Sequence, residues 1–187
     1  MAKEYTKDDL KTNDRIYSNR LRTKVLEEFY EENFVPYIFV FELDNHETIR
    51  LIFDTDQFCH LLGFSYFGYN GVIGWNTLNN RNILISNLHE ISKHKREEIR
   101  ITNSPKILTI LNNPTIYLYE NKETTYKSDY FAVWDDGTRY YKLGIGTNDN
   151  GQNYAETYQV SLMTSDDNKE INSKNLVNVI NKHIVKR

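Results

Sequence analysis

The apolar residues of this chain change their spacing near Pro114, and that change restricts the folds open to it. Before Pro114 most apolar residues recur at helical intervals, which is typical of helices with one buried face. After Pro114 they form short runs separated by turn residues, which is typical of antiparallel strands. Helices followed by consecutive strands favour an α+β fold over a parallel, doubly wound sheet.

The first half of the chain is predicted to contain an N-terminal helix, a β-hairpin and several middle helices. Asp44-Asn45 marks the hairpin turn, and Gly63 is a helix stop. The predicted elements are a helix over 7–32, strands over 35–43 and 48–53, a short helix over 54–62, an irregular stretch with one helical turn over 67–82, and helices over 86–100 and 105–112.

The second half is predicted to form a C-terminal antiparallel sheet of about four strands, with a hairpin turn at Asp136-Gly137. The strands are expected over 115–120, 129–134, 139–145 and 154–163, followed by a closing helix over 173–183. Because no linker rich in Pro, Gly or Ser divides the chain, residues 1–187 are interpreted as a single domain. Its core is expected over 35–164, between a helical extension over 1–34 and a C-terminal extension over 165–187.

Cysteine usage and hydropathy indicate the compartment. Cys59 is the only cysteine, so no internal disulfide can form and a reducing compartment is expected. The residues after Met1 lack an apolar signal region, and no apolar run approaches the ~20 residues of a membrane span. We therefore expect a cytoplasmic protein without a membrane partner.

The charge balance does not favour nucleic-acid binding, because the net charge is −3 and the pI is near 6.0. The distribution of charge matters more than its sum, however. Residues 93–96, with Arg100 and Lys106 beyond them, form a locally basic stretch. The alternative interpretation is that these residues are solvated helix faces.

Sequence motifs exclude several kinds of active site. The chain has no Gly-rich phosphate loop, no Cys or His pairs at zinc spacing and no converging carboxylates, so we expect neither a cofactor nor a metal. RNA can be cut without a metal when its own 2′-hydroxyl attacks the phosphorus and side chains move the protons. His60, Lys127 and Thr157 have the chemistry for this. Taken singly, residues of these kinds are more often a packing histidine, a surface lysine and a strand threonine.

A family resemblance connects these residues. Residues 53–63, FDTDQFCHLLG, resemble the F-x-x-x-x-F-x-H-L-L-G signature of a phage-associated nuclease family, the fourth such phage group of the barnase–EndoU–colicin–RelE-like superfamily. NPTIY at 113–117, YKSDY at 126–130, KLGI at 142–145 and ETY at 156–158 are similar to its later motifs, in the same order. Ser128 stands where the family usually has Ala.

The resemblance implies a helix-plus-antiparallel-sheet fold and metal-independent endoribonuclease activity on RNA, tRNA included. It implies His60 as the base or acid, Lys127 as the phosphate stabiliser and Thr157 as a further donor, with Asp129 and Tyr130 in support. His60, Lys127 and Thr157 would then line one cleft. The alternative is a non-catalytic phage protein that binds and inhibits a host nuclease or defence complex, since its acidic charge and many tyrosines suit a protein partner. An inhibitor or host protein therefore stays open as a second partner.

Overall fold

A computed structural model describes residues 3–90, 95–119, 128–148, 156–165 and 175–187, of which 89–90, 95–96, 147–148 and 156–165 are described by their backbone. The chain divides into two compact units. Residues up to Val35 together with 54–108 form a helical unit, and residues 36–53 together with 109–187 form a sheet unit. Each unit therefore combines segments that are distant in sequence.

The described residues form five α-helices and eight strands, which confirms the α+β class. The helices are α1 (Thr23–Asn33), α2 (Thr55–Leu62), α3 (Gly71–Arg81), α4 (Lys95–Asn103) and α5 (Lys106–Asn112). The strands are β1 (Tyr37–Leu43), β2 (Thr48–Ile52), β3 (Thr115–Leu118), β4 (Tyr130–Asp135), β5 (Tyr140–Asn148), β6 (Glu156–Ser165), β7 (Leu176–Val177) and β8 (Val179–Lys186). No helix in the described ranges is long and apolar enough to cross a membrane.

The N-terminal helix is shorter than predicted. Only α1 is α-helical, and the earlier residues form single 3₁₀ turns at Asp9–Lys11 and Ser18–Arg20. Asn13 and Asn19 lie in the part that does not form an α-helix, and Asn side chains compete with helical hydrogen bonds by bonding to the nearby backbone. The apolar spacing before Thr23 therefore fills the core without a continuous helix.

The middle of the chain also differs from the prediction. The stretch expected to be irregular contains α3, a helix of 11 residues that buries Gly74, Trp75 and Leu78. A Cβ atom on Gly74 would lie 3.0 Å from Cys59 Sγ, so this glycine allows α3 to approach α2 closely. In the segment predicted as a charged helix over 86–100, the described residues lie in a 3₁₀ helix, Ile85–Glu90, and in α4.

An aromatic cluster forms part of the core of the helical unit. The Phe58 ring lies 4.7 Å from the Trp75 ring, 5.0 Å from the Tyr30 ring and 5.4 Å from the Phe64 ring, measured between centroids. Aromatic pairs at these separations stabilise a core beyond the area they bury. The cluster ties α2 to α1 and α3, and so determines where α2 lies.

The sheet unit confirms the predicted hairpin and all four C-terminal strands. The strand order is β7-β3-β4-β5-β6-β2-β1-β8, and every neighbouring pair is antiparallel except β2 and β6. The predicted turn at Asp136-Gly137 is present between β4 and β5. Gly137 has φ +86°, and Asp136 Oδ1 accepts hydrogen bonds from the backbone N–H groups of Thr138 and Arg139 at 2.8 Å.

The prediction of a closing helix over 173–183 is wrong, because the described part of that segment forms β7 and the start of β8. Val177, Val179, Ile180, Ile184 and Val185 are β-branched and favour a strand. β1 also offers an edge with which β8 pairs along its length. The tertiary pairing therefore decides a segment whose local sequence was ambiguous.

β7 and β8 lie at opposite ends of the strand order, although Asn178 alone separates them in the chain. β7 pairs with β3, and β8 pairs with β1. The Asp44 N–H donates to the Asn178 carbonyl at 2.9 Å, and Asn178 Nδ2 donates to Asp44 Oδ2 at 2.6 Å. The two outermost strands of the sheet are therefore consecutive in the chain and are joined at Asn178.

Candidate functional site

His60 lies on the exposed face of α2. Its neighbours Phe58, Cys59, Leu61 and Leu62 are buried, whereas the histidine is exposed. Buried residues on both sides of an exposed one follow from the 3.6-residue period of a helix with one apolar face. The interpretation of His60 as a core packing residue is therefore wrong, and its imidazole is open to solvent.

Both ends of α2 are held by hydrogen bonds. At the N-terminal end, the Tyr30 hydroxyl donates to the Asp54 carbonyl at 3.2 Å. At the C-terminal end, Arg100 Nη2 donates to the His60 carbonyl at 3.0 Å, and Arg100 Nε donates to the Leu61 carbonyl at 2.8 Å. One guanidinium thus donates to two carbonyls in the last turn of α2, and the His60 carbonyl also accepts from the Gly63 N–H at 3.2 Å. These bonds position the backbone that carries the imidazole.

Gly63 ends α2 in a left-handed conformation with φ +89°, as the sequence predicted. A Cβ atom at this position would lie 2.8 Å from Glu97 Oε2 and 3.3 Å from the Arg100 side chain. Glu97 is the ion-pair partner of Arg100, at 3.7 Å. The positive φ favours glycine, and a side chain at this position would also require the carboxylate end of Glu97 to shift.

The side chains of the basic stretch are described at two positions, Arg100 and Lys106. At both, the positive charge has a structural role and not the ligand-binding role considered from the sequence. The Arg100 side chain is only 16% exposed and supports α2. Lys106 is 4% exposed, and its Nζ donates to the Asp14 carbonyl at 3.3 Å. Lys93 and His94 lie outside the described residues, as do the side chains of Lys95 and Arg96. At Arg100 and Lys106, positive charge stabilises the fold and is not displayed to a ligand.

Three of the remaining candidates belong to the sheet unit, and Lys127 lies outside the described residues. The backbone of Thr157 on β6 pairs with Thr147 on β5 and with Leu51 on β2. Asp129 is exposed, its N–H donates to the Ile145 carbonyl at 2.8 Å, and its own carbonyl accepts from Tyr119. The grouping of His60, Lys127 and Thr157 in one cleft remains a prediction.

Tyr130 is part of a polar link that the sequence did not reveal. Its ring is buried, and its hydroxyl donates to Glu47, which lies between β1 and β2. Asn45 fixes Glu47, donating from Nδ2 to Oε2 at 2.6 Å and accepting from the Glu47 N–H at 3.1 Å. Burial, with the Glu47 hydrogen bond next in size, raises the pKa of Tyr130 above its ordinary range. This hydroxyl therefore acts as a structural donor.

The sequence also gave no sign of the buried carboxyl of Glu27 on α1. Glu27 is 1% exposed, and neither carboxyl oxygen has a hydrogen-bond partner in the described part of the chain. Burial, reinforced by Glu31 and Glu28, raises its pKa to about 8. Burial and the charge of Glu27 also raise the pKa of the Cys59 thiol to about 12. Glu27 on α1 and Cys59 on α2 are therefore two buried titratable groups, and the charge of Glu27 acts on the Cys59 thiol.

Metal-ligating groups do not converge in the parts of the chain that the structure describes. No set of three or more His, Cys, Asp or Glu side chains there could hold a metal ion. Lys142, a cation within the KLGI motif, is 1% exposed, and its backbone pairs with Val133 and Met163. Among the candidates whose side chains are described, His60 and Asp129 are exposed on a backbone held by hydrogen bonds, and only His60 of the two has an imidazole.

Comparison with known proteins identifies the family. The model of the family described as phage-Barnase-EndoU-ColicinE5/D-RelE like nuclease4 matches residues 24–186, which extends beyond both ends of the 35–164 core expected from the motifs. Neither a curated protein nor a solved structure matches the chain. The family match covers most of both units, and it includes His60 with the helix that bears it. The chain belongs to the phage-Barnase-EndoU-ColicinE5/D-RelE like nuclease4 family.

Proposed function

We propose that the protein is an endoribonuclease that cleaves RNA without a metal, with His60 transferring protons. Membership of a nuclease family supports phosphodiester cleavage. The observation that carries the assignment to His60 is its exposed imidazole on a helix end that Arg100 and Gly63 hold in place. A general acid–base catalyst needs this combination of access and fixed position. The host cytoplasm is the proposed location.

The proposed reaction breaks one P–O bond. A base removes the proton from the 2′-hydroxyl of the substrate, the resulting oxygen attacks the adjacent phosphorus, and the 5′-oxygen leaves with a proton from an acid. The products are a 2′,3′-cyclic phosphate and a free 5′-hydroxyl. In this proposal His60 is the base or the acid, and Lys127 and Thr157 donate to the phosphoryl oxygens, where charge develops. Asp129 and Tyr130 support the strand that follows Lys127.

The test compares two exposed histidines. His60→Ala should lower RNA cleavage by roughly 10²–10⁴-fold, the range that a positioned proton-transfer group contributes. The fold should survive, because His60 is exposed and Ala suits a helix. His46→Asn is the matched control, since His46 is exposed in a turn with φ +70° that Asn tolerates. Cleavage of total RNA in excess EDTA is measured by gel, and the end groups by mass spectrometry.

Four results would overturn the proposal. Activity lost in EDTA and restored by magnesium would exclude the metal-independent reaction. Equal activity in His60→Ala and His46→Asn would remove His60 from the chemistry. A folded protein that cuts no RNA under any of these conditions would leave the non-catalytic inhibitor as the better account. A fall in activity that matched a fall in melting temperature would assign His60 a structural role instead.

A further inference from the structure

β8 is an open edge of the sheet. It pairs with β1 on one side, and no strand in the described part of the chain pairs with its other side. Every residue from Ile180 to Arg187 is exposed, and Ile180 and Ile184 are 65% and 47% exposed. An edge strand of this length can bind a ligand, because it presents unpaired backbone groups and side chains of both faces.

The edge is basic, although the whole chain has a net charge of −3. Residues 175–187 contain Lys182, His183, Lys186 and Arg187, and no Asp or Glu. Lys182 Nζ donates to the Asn112 carbonyl, which carries no charge to neutralise the ammonium group. No ion pair joins Lys182 or Lys186 to a carboxylate of the described residues. Lys182 and Lys186 differ from Arg100 and Lys106 in exposure, because both lysines of β8 are exposed and the other two side chains are largely buried.

The strand register places an aromatic ring among these cations. Lys182 lies opposite Phe41, Ile184 opposite Phe39 and Lys186 opposite Tyr37. At ~3.3 Å a residue, the two lysines stand roughly 13 Å apart on one face. Tyr37 is partly exposed, and its neighbour Phe39 is buried.

Two charged residues of β1 and β2, Glu42 and Arg50, lie on the opposite face of the sheet. Glu42, the acidic residue nearest to β8 on β1, pairs with Asn181 and so lies on the opposite face from Lys182. Arg50 of β2 pairs with Val40 of β1, and it therefore lies on the same face as Glu42. The face with the lysines therefore combines positive charge with an accessible ring, and the neighbouring carboxylate is directed away from it.

We propose that this edge, β8 with Tyr37, binds the phosphate backbone of single-stranded RNA. The lysines contact phosphates and the Tyr37 ring stacks on a base, which is the combination used by single-strand binding surfaces. The choice of RNA as the ligand rests on the proposed function. A protein strand added to the same edge would need backbone pairing, but it would not need the lysine charges.

The test measures binding of a fluorescein-labelled oligouridylate by fluorescence anisotropy at several salt concentrations. The full-length His60→Ala protein is the background, so that binding is separated from cleavage. Lys182→Gln/Lys186→Gln should weaken binding and reduce the slope of log Kd against log salt by about 1.4, because each phosphate contact on a single strand contributes ~0.7. Lys3→Gln/Lys24→Gln, with the same charge change at exposed positions of the helical unit, should leave the slope unchanged.

A second variant tests stacking. Tyr37→Leu should weaken binding roughly tenfold without changing the salt slope, since stacking on a base contributes ~1–3 kcal/mol and involves no ion release. Thermal melts of every variant show whether the fold is retained. Lys182 and Lys186 are exposed, so the double lysine variant should melt as its parent does.

The outcomes separate this proposal from the ribonuclease proposal. Affinity and slope unchanged in the double lysine variant would overturn the binding surface, and continued cleavage by the wild type would leave the activity standing. RNA binding that depends on both lysines, in a wild-type protein that cuts no RNA, would support the surface and refute the activity. Unchanged RNA affinity together with self-association through β8 would assign the edge to a protein partner and overturn the proposal.

Discussion

Replacing Glu27 by Gln should remove most of the pH dependence of the stability of the helical unit. The carboxyl of Glu27 is buried without a hydrogen-bond partner in the described residues. The charged or titratable groups that act on it are Lys24, Glu28 and Glu31 on α1 and Cys59 on α2. Burial is the main cause of its raised pKa. An isosteric amide keeps the shape of the side chain and cannot ionise.

The size of the effect follows from the two pKa values of Glu27. Its pKa rises from the ordinary 4.5 to about 8 in the folded protein. The folded state therefore holds a proton that the unfolded state releases between these values, and the free energy of unfolding falls as pH rises. Stability is full below pH 4.5 and decreases by ~1.36 kcal/mol per pH unit until it levels above pH 8. The total loss is roughly 4–5 kcal/mol.

Urea unfolding at pH 5, 7 and 9 tests this expectation. Trp75 is buried in the same unit, so a Trp134→Phe background makes its fluorescence specific to that unit. Wild-type Glu27 should lose stability steeply between pH 5 and pH 9, and Glu27→Gln should lose much less. Glu28→Gln, an exposed change on the same helix, should keep most of the wild-type pH dependence, because burial and not Glu28 is the main cause of the raised pKa of Glu27. Parallel pH profiles for Glu27→Gln and the wild type would refute the reasoning.

Three further results are expected. Cys59, whose pKa is raised to about 12, should resist a thiol reagent at pH 8 in the folded protein and react once urea unfolds it, and equal rates in both states would contradict its burial. Gly63→Ala should reduce the free energy of unfolding in urea more than Gly68→Ala, because both have positive φ but only Gly63 has Glu97 within contact distance of an added Cβ; equal losses would show that Glu97 moves aside freely. Tyr130→Phe should lower stability by about 0.5–1.5 kcal/mol through the lost hydrogen bond to Glu47 and leave cleavage of the folded protein unchanged; a large loss of cleavage at unchanged stability would make the hydroxyl catalytic.

The local sequence was sufficient for elements with strong periodicity and clear end signals. The hairpin of β1 and β2, the helix α2 with its stop at Gly63, and the strands β3 to β6 were predicted because apolar periodicity and turn residues agree there. The family motif around His60 lies in one of these well-predicted elements, α2. The exposure of His60 then followed from one-sided burial of α2, which the sequence allowed but did not decide.

Tertiary structure decided the segments in which local signals conflict. Three glycines, at 68, 71 and 74, border or interrupt the apolar pattern around α3, and the packing of Gly74 against Tyr69 and Cys59 becomes apparent only in the folded chain. Residues 176–186 suit either helix or strand, and the available edge of β1 selected the strand.

The roles of the charged residues also depended on the fold. The sequence shows that Arg100, Lys106, Lys182 and Lys186 are cations, but not which of them meet carbonyls inside the helical unit and which remain exposed on β8. In the sequence, Glu27 cannot be distinguished from the other glutamates of α1, although it is buried. Residue type and spacing therefore determined the class of fold and the candidate histidine. Packing between segments distant in sequence determined burial, and burial sets the charge state and role of each ionisable group.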